Sequence, residues 1–481
     1  MKTKLKEILC CILTAAICIG TVGCGNGAEK KNGKEAPTLT WYIPGDKQTD
    51  IQTVTDALNK KIEPQIGAKL DLQIIDTGSF QDKMTMMMGA GKEFDLCFTS
   101  NWTNRFLPNV SKGAYEPLDE LLEKDAKKLK SALPDYVWNA SKIDGKIYAV
   151  PNLQVLFYQT ALGVFKKYAD KYNFDLSKVK TTKDIEPFLE IIKQKEPELY
   201  PYNLGYSFAM FTNPVYEQIG GTTAVIRKDS TDKKVMSLYR TPEFKEGVET
   251  LRSWYQKGYI RSDIASVISD SQELLSGKYA VFNTTYKPGC EAELKQRYKQ
   301  DIAVIPIEEP YLRSDAGVAA MTAISRTSKY KSEAIKLLEI VNTDKDVYNL
   351  LSYGVENKHY TKVNDNQIKP AEQSGYVSGG GWKFGNQFNA YYLETQDIDI
   401  WEKTNEINNS AVRSPISGFV LNTEPIKSEI SKCESVISEF KAIENGSQDT
   451  EPLYEDFIKK LDVAGEDKII KEVQKQINEM N

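Results

Sequence analysis

Phe94-Asp95-Leu96-Cys97-Phe98-Thr99-Ser100-Asn101-Trp102 runs from a short apolar strand straight into a polar loop that ends on a tryptophan. Two further strands and two helices precede it. Leu39-Thr40-Trp41-Tyr42-Ile43 alternates, is rich in β-formers and breaks at Pro44-Gly45-Asp46, a strand followed by a turn. Ile51, Val54, Ala57, Leu58 and Ile62 then recur at helical spacing. Lys69 to Ile75 reads as a second strand, and Phe80 to Met88 as a helix whose Met84, Met87 and Met88 fill a core rather than bind a soft metal. This strand–helix alternation predicts an α/β layer fold. In such sheets ligands bind beyond the carboxyl ends of the strands. Here those ends are Pro44-Gly45-Asp46 and Thr99-Ser100-Asn101-Trp102.

Downstream the same grammar repeats. Tyr115 to Lys124 forms a capped helical segment, and Ile143 to Pro151 a hairpin turn running into a strand. Helices are expected near 162–172, 182–193 and 242–257, with a loop at 200–206. Ala280-Val281-Phe282-Asn283 is a strand opening into a loop, and Ile302 to Pro306 is another strand. Residues 316–324 continue β-like, 330–341 are an amphipathic helix, and the last 80 or so residues are largely helical with breaks at Gly418, Gly446 and Gly465.

The N-terminus carries a different signal. Lys2, Lys4 and Lys6 precede an apolar run from Ile8 to about Thr21, which is short for a membrane span and fits a secretory leader. Thr21-Val22-Gly23-Cys24 resembles a lipobox, in which the cysteine is acylated and becomes the mature N-terminus. Residues 1–23 are therefore expected to be a lipoprotein signal peptide, and 24–36, rich in Gly, Lys and Asn, a flexible tether. The expected location is the outer face of the cell membrane. The whole chain carries a net charge of −5; residues 1–23 hold three lysines and one glutamate, net +2, so the remainder carries −7. With no basic block beyond the tether, nucleic acid is not an expected partner. Cys97, Cys290 and Cys433 remain as buried thiols rather than a disulfide scaffold. One histidine, His359, argues against a zinc site or a serine–histidine triad, and no phosphate-binding Gly-Lys loop is present.

The order FDLCFTSNW, DGKIYAVP, GKYAVFNTTYKPG, IAVIPI and SEAIKLLEIV resembles the extracellular solute-binding proteins of carbohydrate ABC importers, in the style of the large lipoproteins of Firmicutes. YGVENKHY, WKFGNQFNAYYLE, SPISGFVLNTEPIKSEI and AGEDKIIKEVQKQI resemble the helical C-terminal extension of that subgroup. The resemblance implies a bilobed, periplasmic-binding-protein-like α/β fold whose lobes close on a ligand. It implies an N-terminal lobe of 37–152 plus 301–345 and a C-terminal lobe of 153–300 plus 346–481. It further implies a monomer without cofactor or catalytic residues, which hands an oligosaccharide to membrane permease subunits. A secreted glycoside hydrolase, a sensor or a peptide-binding protein on the same fold remain the alternatives.

A sugar offers hydroxyls in all directions and a flat C–H face, so aromatic rings and amides are the side chains to look for. Trp102 and Trp382, the latter in Gly379-Gly380-Gly381-Trp382, are the ring candidates; Trp41, Trp138, Trp254 and Trp401 read as structural. Asp46, Ser100, Asn101, Asn283, Tyr206 and Tyr286 are the polar candidates, with Tyr158 weaker. Asp46 serves equally well as a turn former, and Ser100 and Asn101 as helix caps.

Overall fold

Leu39, Trp41 and Ile43 project from one face of the strand Thr38–Pro44 and are buried. That strand is paired in parallel with Lys69–Ile75 on one side and Leu96–Thr99 on the other. The computed structural model describes residues 36–205, 209–267 and 271–480. The expected signal peptide, most of the tether, Cys24 and Tyr206 lie outside these.

Five strands make the first sheet, in the order Lys69–Ile75, Thr38–Pro44, Leu96–Thr99, Met321–Ile324, Val150–Pro151. Met321–Ile324 runs antiparallel to both of its neighbours. Asp95 is buried yet satisfied, accepting from the Thr40 amide at 2.9 Å and the Ser328 hydroxyl at 2.5 Å. The amphipathic helix Ile51–Ile66 buries Val54, Leu58 and Ile62 against this sheet and ends at Gly67, whose φ of 69° suits glycine. Helices Lys331–Thr343 and Lys345–Tyr353 join the same core, as do Tyr376, Phe384 and Ala390.

A second, four-stranded sheet has the order Ile302–Pro306, Thr160–Phe165, Tyr279–Thr285, Tyr200–Asn203. Gly163 is required there, because a Cβ would fall inside the ring of Phe282. Trp254, on the helix Pro242–Gln256, is fully buried in this core. Beyond it lies a three-stranded antiparallel sheet, Tyr216–Gln218, Ala224–Arg227 and Val235–Ser237. The C-terminal helices Lys427–Glu439, Thr450–Ala464 and Glu466–Asn478 share its core through Cys433, Phe457, Leu461, Ile469 and Val473.

The two lobes are joined by three passages of chain, after Pro151, after Pro306 and before Val412. They lie side by side. Tyr158 and Tyr311 exchange backbone hydrogen bonds at 2.8 and 3.0 Å, and Tyr311–Leu312 pairs in parallel with Val412–Arg413. Buried Glu217 accepts from the Tyr311 hydroxyl at 2.7 Å and the Ser314 amide at 2.6 Å, which fixes the second passage to the second lobe.

Two segments sit differently from the division that the resemblance implied. Ile302–Pro306, assigned to the first lobe, is hydrogen-bonded along Thr160–Phe165 in the second sheet. The helix Cys290–Tyr298 returns the chain directly from Tyr279–Thr285, so its next strand stays in that sheet. Residues 346–390, assigned to the second lobe, bury Val347, Tyr348, Leu351 and Phe384 beside Trp41 instead.

Candidate functional site

Four of the five strands of the first sheet, all but Met321–Ile324, deliver their carboxyl ends to one edge, and two tryptophans meet there. The Trp102 ring centroid lies 5.9 Å from that of Phe98 and 6.3 Å from that of Trp382. Trp382 in turn packs edge-on against Phe98, at 5.8 Å and 80°. Trp102 is 46% exposed, although its indole N–H is already spent on the Ala319 carbonyl at 2.9 Å. The ring is thus held in place with nearly half its surface in water.

Trp382 is positioned by glycines and by one lysine. Gly379 and Gly380 have φ of 74° and 117°, and a Cβ on Gly381 would collide with the Tyr348 hydroxyl. Asn152, at the start of the first passage, donates to the Trp382 carbonyl at 2.8 Å. Lys383 is buried, and its ammonium donates to the Pro44 carbonyl at 3.2 Å and to the Ser378 carbonyl. Burial pulls the Lys383 pKa down, partly offset by the charge of Asp46. Asp46 itself is exposed at the end of its strand. Trp102 and Trp382 therefore meet, and Lys383 links Trp382 to Asp46, whose charge acts on its ammonium.

The remaining candidates separate into facing and internal groups. Asn101 is exposed and donates to Asp315 at 2.5 Å. Ser100 faces inward: fully buried, its hydroxyl accepts from the Thr103 amide at 2.9 Å and donates to the Thr103 carbonyl at 2.8 Å. It closes the turn that presents Trp102. In the second lobe, Asn283 accepts from the Tyr202 hydroxyl at 2.5 Å and donates to the Leu204 carbonyl at 2.8 Å. Both ends of its amide are engaged in shaping the 204–205 loop. Tyr286 is half-buried, its amide bonded to the Gln159 carbonyl at 2.8 Å, and burial raises its pKa. Asn213 approaches the Tyr158 hydroxyl at 3.4 Å.

Between the lobes lies a cavity of about 400 Å3. Asn101, Trp102 and Arg105 line it from the first lobe; Gln218 to Gly221 and Phe419 to Thr423 line it from the other side. Arg313 and Asp315, on the second passage, form its floor, 3.6 Å apart. The Arg313 guanidinium also donates to the Gln218 carbonyl at 2.8 Å. Apart from Asn101 and Trp102, these residues carry no local signal in the sequence, because they meet only through the tertiary fold.

Among the described residues no group of three His, Cys, Asp or Glu side chains could hold a metal. His359 is buried and structural: its Nδ1 accepts from the Val355 amide at 2.8 Å, so Nε2 carries the proton and donates to Asp50 at 3.0 Å. Trp41 and Trp138 are core residues. Trp401 is half-buried, stacked on Tyr392 at 6.3 Å.

The sequence pattern of the bacterial extracellular solute-binding proteins matches residues 51–348. The chain belongs to that family. This solute-binding protein is thus a binding component and not an enzyme. It is 31% identical, over 100% of its length and 99% of the relative's, to a carbohydrate ABC transporter substrate-binding protein of Streptococcus pneumoniae. It is 20% identical to the lipoprotein LipO of Bacillus subtilis over 85% of each chain. Its structure superposes on the N-glycan transport solute binding protein NgtS of Streptococcus pneumoniae with a TM-score of 0.82, at 30% identity, covering 92% of this chain and 98% of that one. The alginate-binding protein AlgQ2, at 16% identity, shares the fold, with a TM-score of 0.62 over 92% and 98% of the two chains. Residues 415–481 match a domain of unknown function, DUF3502.

Proposed function

We propose that this solute-binding protein captures an oligosaccharide outside the cell by closing its two lobes, and delivers it to the membrane permease of an ABC importer. The observation that carries this reading is the half-exposed Trp102 set beside Trp382, with the two rings tilted by 52°, at the carboxyl edge of the first sheet. Rings so placed offer flat apolar faces to a sugar, and Asn101, Asp315 and Asp46 border them with groups for hydroxyls. The relatives support the cargo: NgtS of Streptococcus pneumoniae has been solved in complex with Man1GlcNAc and with Man5GlcNAc.

Closure has its own support. Against NgtS the TM-score is 0.82, but against the two glycan complexes it is 0.71 and 0.67, at nearly unchanged identity and the same 92% coverage of this chain. A drop without a change of sequence points to the arrangement of parts. Ligand that touches both lobes only when they are closed shifts the population towards that form. We place the boundaries of the moving bodies at 37–152 with 318–391, and at 159–307 with 416–480. Cys24 is the proposed lipid anchor, which holds the receptor at the outer face of the membrane, and the working unit is a monomer.

The hydrolase alternative requires two carboxylates facing each other across the scissile bond. Among the described residues the interlobe cavity is lined by one, Asp315, already hydrogen-bonded to Asn101. Thermal unfolding of the chain from Gly25 onward, with a panel that includes Man1GlcNAc, Man5GlcNAc and short peptides, tests the proposal. Ligand at 100 times Kd adds about 2.7 kcal/mol of stability. An oligosaccharide that raises the midpoint and is recovered uncleaved supports the reading; a response to peptides alone overturns the carbohydrate assignment. Loss of radiolabelled fatty acid from Cys24→Ser in cells tests the anchor.

A further inference from the structure

We infer that residues 419–423, at the head of the segment matched by the domain of unknown function, form a distal subsite of the ligand cleft, which holds the sugar units lying beyond those at Trp102 and Trp382. The inference rests on the oligosaccharide reading above. It gives the C-terminal segment a task, the reading of ligand length.

Three observations carry it. First, one cavity is lined by Trp102 and Arg105 on one side and by Phe419, Leu421 and Asn422 on the other, so a ligand that extends from the tryptophan pair past Trp102 meets this segment. Its volume of about 400 Å3 is within the range of small-molecule sites.

Second, the segment is built into place rather than draped over the surface. Leu421 sits on Gly220, where a Cβ would come within 2.7 Å of a Leu421 methyl and where φ is 57°. Only glycine permits that approach. The terminal helix then holds the next residue by both backbone groups. The Gln476 amide oxygen accepts from Asn422 N at 3.0 Å, and its amide nitrogen donates to the Asn422 carbonyl at 2.9 Å. The helices of this domain pack on the second lobe, so the segment moves with that lobe and meets Trp102 across the cleft.

Third, the chemistry suits a neutral glycan. The Asn422 amide oxygen accepts from Glu424 N at 3.2 Å, which leaves its NH2 group without a partner among the described residues. Opposite, the Arg105 guanidinium has no carboxylate within ion-pair distance among the described residues, although it lines the cavity. Asp315 supplies an acceptor, and Phe419 and Val420 apolar surface. Donors, one acceptor and an apolar wall match the hydroxyls and C–H faces of a sugar.

Calorimetric titration of Man1GlcNAc and Man5GlcNAc into wild type, Asn422→Trp and Arg105→Ala tests the inference. Asn422→Trp fills the cavity from an exposed position, and Arg105→Ala removes the donor opposite, so the two variants report independently should one fold poorly. The expected result is a Kd for Man5GlcNAc raised about tenfold or more in either variant, with the Kd for Man1GlcNAc changed less than about twofold. Equal weakening of both sugars, or no change in either, overturns the distal subsite while leaving the oligosaccharide reading standing. Failure of every oligosaccharide to bind wild type overturns both.

Discussion

Lys228 and Glu308 form an ion pair where the second passage leaves the second lobe, with side chains only 14% and 3% exposed. The Lys228 ammonium also sits 4.4 Å from the centre of the Tyr311 ring, and Glu308 accepts from the Thr160 amide at 2.5 Å. Burial lowers the Lys228 pKa, and the charge of Glu308 opposes that shift. Breaking such a pair from one side strands a charge in a dry place. Lys228→Met is expected to cost about 3–5 kcal/mol in urea unfolding, and adding Glu308→Gln to recover much of that loss. A single variant as stable as wild type would show that water reaches the pair.

The paired indoles of the first lobe, tilted at 52°, are expected to hold the ligand. Trp102→Ala and Trp382→Ala each remove one wall of the sugar platform, and each is expected to weaken oligosaccharide binding by about tenfold or more in calorimetric titration. Trp102, half in water, is expected to leave the thermal midpoint close to that of wild type. Unchanged affinity in both variants would remove the observation on which the carbohydrate reading stands.

Lys383 is predicted to matter through its neighbour. Lys383→Met deprives the Pro44 and Ser378 carbonyls of their donor, at a cost of about 1–3 kcal/mol in urea unfolding. Because the same contact fixes the loop that carries Trp382, sugar affinity is expected to fall with stability. Affinity unchanged at reduced stability would make Lys383 a core residue only.

Glu444 gives the molecule a pH dependence of definite sign. One of its carboxyl oxygens is buried without a partner among the described residues, and burial raises its pKa from 4.5 to about 8, with Lys441 opposing. Across that window the folded chain keeps a proton that the unfolded chain has released, so stability falls as pH rises from about 4.5 to about 8. Glu444→Gln is expected to match wild type near pH 5 and to melt roughly 2 °C or more higher near pH 8.5. Parallel melting curves at both pH values would show the carboxyl to be ionised throughout.

The strands around Trp41 and Phe98 and the burial of Trp41, Trp138 and Trp254 were legible because alternation and helical spacing are local properties of the chain. The meeting of Trp102 with Trp382 was half legible: each stood out by its loop, but nothing in either loop specifies the other. Ser100 and Asn283 show the limit. A hydroxyl or amide beyond a strand serves a ligand or its own turn with the same residue types, and only the Thr103 and Leu204 backbone groups decide for the turn. The contact of Leu421 with Gly220 was beyond reach, since it depends on a tertiary approach and not on a periodicity. The same is true of Ile302–Pro306, whose apolar pattern suits either sheet.

The strand Met321–Ile324 lies between Leu96–Thr99 and Val150–Pro151. A ribosome makes the chain from its first residue, so those two flanking strands exist long before the one that joins them. The four strands of the second sheet are all available once Pro306 has been made. Synthesis order therefore completes the four-stranded sheet of the later lobe first, and leaves the sheet of the earlier one with an unpaired gap beside Leu96–Thr99 until Ile324 arrives to close it.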